Sequence, residues 1–339
     1  MRYHECVNVL QEMFADGAVT SAVATPFDRP EWYALLSQEC EAPLIARAHD
    51  RGEQAALVLA QSKGRLNSYR NWYSFIWRPL VTEAPRESAL LTALAHDLRS
   101  HGHRVTLAPV PNEDGSASRL ARAFTDAGWR VETTRCDTNH FLAVNGRSFE
   151  DYWSARPGHL RTTHKRKASK VAVSILDTFD DDAWAEYEAI YAASWKPTED
   201  HPAMLRAFAE AEGRAGRLRL GLASHKGQSV AAQFWTVENS VAYIHKLAHL
   251  ESHKHLSAGT TLSAALFERV IDTDKVDMID FGTGDEPYKR DWMESWRPRY
   301  RIDCLDMRSP RAWLDLVRLA LRRTSEPNPP ALARLPLGG

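Results

Sequence analysis

Cysteine is scarce in this chain. Four cysteines stand among 339 residues: Cys6, Cys40, Cys136 and Cys304. None makes a Cys-x-x-Cys pair, so neither a disulfide framework nor a thiolate zinc site is expected, and the thiols read as free groups in a reducing compartment. Long apolar runs are missing too, and none approaches the roughly 20 residues that a membrane-spanning helix needs. The opening MRYHECVNVL carries an acid and lacks a charged-then-apolar leader pattern. These absences predict a cytoplasmic protein without a membrane span. An excess of one charge is also lacking: 43 Lys and Arg face 44 Asp and Glu, a net charge of −1. That balance argues against a general nucleic-acid or membrane-surface binder and leaves room for a local basic patch.

What is present is ordinary globular material, 44% hydrophobic and 26% charged. The length suggests two domains rather than one core. The second half is the easier to read. Residues 217–223 (RLRLGLA) alternate, with Leu218, Leu220 and Leu222 on one face. Residues 230–237 (VAAQFWTV) and 241–249 (VAYIHKLAH) are further strands, joined by the tight turns HKGQ and ENS. The three make an antiparallel meander. Residues 260–271 repeat Leu262, Leu266 and Val270 at helical spacing. Strands at 276–281 and 299–306 follow, then an amphipathic helix over 311–322.

The first half runs in a similar order. Strands are expected at 43–48, 54–61 and 73–77, a helix at 87–100, a strand at 103–109, a helix at 116–126 and a strand at 129–133. The shared order predicts two tandem copies of one mixed α/β unit. We divide the chain into a first copy at 1–150, a second at 151–323, and a Pro- and Gly-rich tail at 324–339 expected to be poorly ordered.

Two segments carry chemistry. Ser257, Ala258, Gly259, Thr260 and Thr261 stand where the third strand of the meander passes into the helix. Serine suits a helix N-cap, small residues admit a ligand to the backbone, and the first-turn N–H groups favour a phosphate. The same features also describe an ordinary well-capped helix. The second segment is DFGTGDEPYK, Asp280 to Lys289, just past a strand end. Aminolysis of a thioester needs a neutral amine, an oxyanion stabiliser and a proton for the departing thiolate. A carboxylate here can take the amine's proton, and a tyrosine can protonate sulfur. The plainer alternative is a polar helix start with Pro287 in its first turn.

These pieces together resemble the BioF2-like or CelD-like acetyltransferase family of the GNAT superfamily, a relative of the Fem-type peptidyl transferases. The resemblance rests on Tyr243-Ile244-His245-Lys246-Leu247-Ala248, on Ser257-Ala258-Gly259-Thr260, on DFGTGDEPYK with Trp292, and on Ser194-Trp195-Lys196. It covers roughly residues 151–306, with Ala258 where the family often has proline. It implies two tandem GNAT-like domains with mixed α/β sheets. It also implies a coenzyme pyrophosphate held at 257–261, Tyr288 as the acid, and Asp285 as the base with Asp280 and His245 as rivals. Trp195, Lys196, Lys246, Lys289 and Trp292 are the expected acceptor contacts. The first copy lacks a matching Ser-x-Gly-Thr segment, so it is expected to wall the acceptor cleft rather than bind a donor.

Other signals are discounted. His245, His249, His253 and His255 suggest a metal, but no cysteine is near and the interspersed lysines would repel a cation, so no metal site is expected. Arg161, Lys165, Arg166, Lys167 and Lys170 form a basic run whose commonest meaning is a solvated helix face. The expectation is an N-acyltransferase, an N-acetyltransferase by preference, with acetyl-CoA or another acyl-CoA as co-substrate and no permanently bound cofactor. Its partner would be a small amine, such as an amino sugar of surface polysaccharide. The alternatives are an acyl-carrier-protein donor making N-acyl amino acids, a Fem-like aminoacyl-tRNA donor served by the basic run, and a non-catalytic binding protein on the same fold. Nucleic acid is expected only in the tRNA case.

Overall fold

The computed structural model describes residues 25–39, 42–82 and 86–325. Cys6, Cys40, the opening decapeptide and nearly all of the expected tail lie outside them. Alternating apolar residues and short Gly or Asn turns give one mixed sheet of twelve strands. In the first half these are β1 (Leu44–Asp50), β2 (Glu53–Ser62), β3 (Arg65–Ser68), β4 (Leu80–Val81), β5 (Arg104–Val110) and β6 (Arg130–Ala143). In the second they are β7 (Ala172–Leu176), β8 (Leu218–His225), β9 (Gln228–Glu238), β10 (Val241–His249), β11 (Met278–Thr283) and β12 (Ser295–Leu305). The spatial order is β1-β2-β3-β5-β12-β6-β11-β10-β9-β8-β7, with β4 beside β2.

That order shows two GNAT-like units. Each has an antiparallel meander, β1-β2-β3 or β8-β9-β10, whose last strand runs parallel to the next one, β5 or β11. The helix between the parallel partners is α2 (Glu87–Asp97) in the first unit and α8 (Ala258–Glu268) in the second. The units exchange their last strands. β12 lies between β5 and β6, and β6 lies between β12 and β11. The remaining helices are α1 (Pro30–Glu39), α3 (Ser116–Asp126), α4 (Phe149–Ser154), α5 (Gly158–Lys167), α6 (Asp181–Ala192), α7 (Pro202–Arg214), α9 (Lys289–Trp292) and α10 (Pro310–Ser325). No helix among the described residues is long and apolar enough to cross a membrane.

One expected strand is absent. Residues 73–77 are irregular, and the third strand of the first meander is β3 instead. The apolar pattern there serves burial without a ladder. Trp77 donates its indole N–H to Val58 O and its backbone N–H to Pro109 O, while Phe75 and Ile76 pack into the core.

The packing on β8 fixes α8. Leu262 and Leu266 are fully buried, which stabilises the contact by roughly 2 kcal/mol per side chain. Gly221 makes the approach possible, because a Cβ there would stand 2.9 Å from both Leu262 Cδ1 and Leu266 Cδ1. Gln233, buried on β9, ties the first turn down. Its amide donates to Ser263 Oγ at 2.7 Å and to Gly259 O at 3.2 Å, and its carbonyl accepts from Trp235 Nε1.

Candidate active site

β10 and β11 pair only over Val241–Tyr243 with Met278–Asp280. Beyond that point they part. The β9–β10 register slips between Ile244 and Lys246, so His245 is the bulged residue, and a bulge bends and twists its strand. On its other edge β11 pairs with β6 over Met278–Asp280 and again at Thr283. A wedge therefore opens between two parallel strands, with the start of α8 at its wide end. The cleft there has a volume of about 660 Å³ and is lined by Leu247 and His249 of β10, Phe281 of β11, and Gly259, Thr260 and Ser263 of α8. Trp195, Tyr288 and Trp292 also stand in its walls.

The wide end carries the first turn of α8 and one lysine. Ser257 O accepts from the N–H groups of Thr260 and Thr261. The N–H groups of Ala258 and Gly259 precede any intrahelical acceptor. The expected serine cap is not made. Ser257 adopts a left-handed conformation, and its hydroxyl accepts instead from Lys167 Nζ at 3.0 Å. Lys167 ends α5, so part of the basic run is brought to the helix start. Gly259 and Thr260 line the cleft, whereas Ala258 and Thr261 are buried against the fold. A phosphate at Gly259 would meet free N–H groups, the helix dipole and one ammonium.

The nominated chemical residues separate. Tyr288 lies in the wall, its ring edge-on to Phe281 with centroids 5.7 Å apart. Burial and the Glu286 charge push its phenol above the ordinary range, so it stays protonated. Asp285 is exposed. Its Oδ2 accepts from Arg290 and its Oδ1 lies 2.8 Å from His140 Nε2. The Arg290 and His140 contacts hold its carboxyl below the usual range. Asp280 is buried and fully engaged, accepting from Asn139 Nδ2, the Gly282 N–H and Arg297 Nη2. His245 faces away from the cleft, among Phe27, Phe75, Phe208 and Phe234. Its Nε2 meets Thr236 Oγ1, and desolvation, then the Lys246 and Arg29 charges, push its pKa down to about 3.

The expected acceptor contacts separate too. Lys289 is buried, and its ammonium is held by Thr283 O and Glu286. Trp292 forms cleft wall, stacked on Phe267 at 4.9 Å. Trp195 leans on His249, with centroids 4.3 Å apart. Lys246 pairs with Glu199 at 2.8 Å, and Lys196 lies over the Trp195 ring. Burial lowers the pKa of both lysines. Gln233, Lys167 as an individual contact, His140 and Glu199 were not singled out from sequence. Only Gln233 left a signal there, as the one amide in the run VAAQFWTV at 230–237.

Comparison with known proteins agrees with this geometry. Residues 158–290 match the family described as "Acetyltransferase (GNAT) domain", a span that includes β10, α8 and β11 and stops short of Trp292. The full fold is similar to FemX, with a TM-score of 0.63 and 9% identity, covering 94% of this chain and 98% of that one. It is also similar to the C-terminal DUF2156 domain of a protein from Agrobacterium fabrum described as a lysylphosphatidylglycerol synthetase. That match has a TM-score of 0.59 and 12% identity over 94% and 97% of the two chains. A curated relative, an aspartokinase of Mycolicibacterium smegmatis, is 27% identical over 150 residues, which is 44% of this chain and 34% of that protein. The chain thus spans about a third of that relative's length. The protein has a GNAT/Fem-like fold, and residues 158–290 match the GNAT acetyltransferase domain family.

Proposed function

We propose that this protein moves an acyl group from a thioester, acetyl-CoA or another acyl-CoA, to a primary amine, with amino sugars among the acceptors. The observation that carries the reading is the wedge between β10 and β11, closed at its wide end by the α8 start with Lys167 and lined beside it by Tyr288. A donor laid in this wedge would place its phosphates at Gly259 and its acyl arm along Leu247 and Phe281. β10 loses β11 as a partner beyond Tyr243, which would free backbone N–H groups on that edge for another acceptor. The thioester carbonyl would supply one, and these donors would hold its oxyanion.

The amine nitrogen then attacks the carbonyl carbon and the C–N bond forms. The C–S bond breaks, and the thiolate takes its proton from Tyr288. The amine's proton passes to Asp285, directly or through water. Arg290 and His140 hold the Asp285 carboxyl below the usual range, so Asp285 is a weak base. Direct transfer fits the cleft lining, since neither described cysteine, Cys136 nor Cys304, is part of it. We propose that the unit within 1–150 binds no donor and walls the acceptor side of the unit at 151–323.

A second reading has its own observation. Arg161, Lys165, Arg166 and Lys170 stand exposed within three residues of α5's end or on α5 itself, the helix whose Lys167 reaches Ser257, as a nucleic-acid-linked donor would require. The test is mass spectrometry of glucosamine incubated with the protein and a panel of acyl-CoAs. Acylated amine is expected. No product with any acyl-CoA, but transfer from charged tRNA, would favour the second reading.

A further inference from the structure

The last helix, α10, is turned the opposite way from a helix that serves a core. Ala312 and Asp315 are buried, while Trp313, Leu314 and Val317 are 56, 62 and 57% exposed. A surface helix of a globular protein ordinarily shows the reverse, with its apolar stripe inward. The inward contact here is polar. Asp315 accepts from Arg65 Nη2 at 2.5 Å and from Arg65 Nε at 3.2 Å, and its Oδ2 lies 3.3 Å from His103 Nε2. Arg65 opens β3 and His103 directly precedes β5, so an ionic clamp ties α10 to the first unit and leaves three large apolar side chains outside.

The helical register extends that stripe. Trp313 and Val317 stand one turn apart, and Leu321 follows Val317 at the same spacing. Arg311, Arg318 and Arg322 recur on a neighbouring face of the register, and Arg311 is exposed. With Arg323, α10 carries four arginines against one acid, and that acid is the buried Asp315 already paired with Arg65. Among the described residues, Trp195 and Tyr288 are exposed in the donor cleft, and Trp72 and Trp296 are exposed on separate elements. Exposed apolar surface is therefore concentrated on α10. A stripe of Trp, Leu and Val bordered by arginines suits the plane where lipid headgroups meet acyl chains, and tryptophan in particular favours that depth.

We propose that α10 docks the protein on a membrane surface, seating Trp313, Leu314 and Val317 in a phospholipid bilayer and setting its arginines against anionic headgroups. The helix lies on the bilayer and does not cross it. Its excess of positive charge favours this occupant over a second copy of the chain, whose α10 would bring like charge to like charge. The inference stands apart from the acyl-transfer reading, because no residue of α10 lines the donor cleft.

The test is co-sedimentation of the full chain with vesicles of phosphatidylcholine alone and of phosphatidylcholine mixed equally with phosphatidylserine. The protein should bind the mixed vesicles. Binding should be about tenfold weaker or worse on phosphatidylcholine alone, and should fall as salt is added. Leu314→Glu combined with Val317→Glu should abolish binding to both. Arg311→Gln should weaken binding to the mixed vesicles by about fivefold. Trp72→Glu, at an exposed tryptophan outside α10, should bind as the wild type does. All variants should retain wild-type far-UV circular dichroism, and if the double variant does not, Arg311→Gln and the salt response decide. No binding of the wild type to mixed vesicles, binding kept by the folded double variant, or unchanged binding of Arg311→Gln would overturn the proposal. So would a wild-type dimer in solution that the double variant converts to a monomer, since the face would then be covered by a second copy.

Discussion

At the scale of single residues, the site depends on which groups remain unengaged once the fold is built. Asp280 looked like a base in the sequence, yet three donors occupy it. Tyr288 has its phenol in the wall, where burial and the Glu286 charge keep it protonated. Tyr288→Phe should lower kcat by about 10²-fold while donor affinity, read by titration with coenzyme A, changes little. Unchanged kcat would remove Tyr288 from the mechanism. His245 makes a different prediction, about stability. Its pKa falls from 6.5 to about 3 in the folded protein. Between those values the unfolded chain binds a proton that the folded chain refuses. The stability that neutral His245 contributes is therefore complete above its ordinary pKa and is lost as pH falls, by up to ~1.4 kcal/mol per pH unit. Denaturant titrations from neutral pH down to about 4 should show a shallower fall for His245→Gln than for the wild type. Equal slopes would mean that His245 is not desolvated as described.

At the scale of elements, the donor cleft depends on where α8 sits. Gly221 lets α8 approach β8, and any larger residue must push Leu262 and Leu266 away. Gly221→Val should cost about 1–3 kcal/mol in stability. It should also raise KM for acyl-CoA more than it lowers kcat, because it displaces the phosphate end and leaves Tyr288 in place. A variant with unchanged KM would show that the start of α8 is not a donor contact. The sequence made these elements legible where periodicity was strong. The β8–β10 meander and α3 were placed within a residue or two, since alternation and helical spacing report burial directly. Residues 73–77 misled, because an apolar run records burial whether or not a ladder forms. Ser257 misled for a related reason. Its residue type suits a cap, but the left-handed backbone turns its hydroxyl to Lys167, about 90 positions away in the chain. The partners of Glu199 left no local pattern at all, because Tyr73 comes from the other unit and Lys246 from β10.

At the scale of the molecule, the exchange of β6 and β12 joins the two units into one sheet. β12 pairs with β6 from Ser295↔Phe141 to Leu305↔Arg130 and with β5 on its other edge. Neither unit can complete its own sheet alone. Heat or denaturant should therefore give one cooperative transition, with coincident curves by far-UV circular dichroism and tryptophan fluorescence. Two separated transitions would show that the strand exchange does not couple the units. The tandem repeat was legible in the element order, but the exchange was not, because nothing in β6 or β12 distinguishes a partner in its own unit from one in the other.

The account rests on the wedge and its basic, N–H-lined end binding an acyl thioester. Calorimetric titration of the intact protein with acetyl-CoA, beside Lys167→Glu, tests that claim most directly. Saturable binding to the wild type, weakened by about tenfold or more in the variant, is the expected result. An absence of binding to acetyl-CoA and to longer acyl-CoAs, or equal affinity in the two proteins, would contradict it.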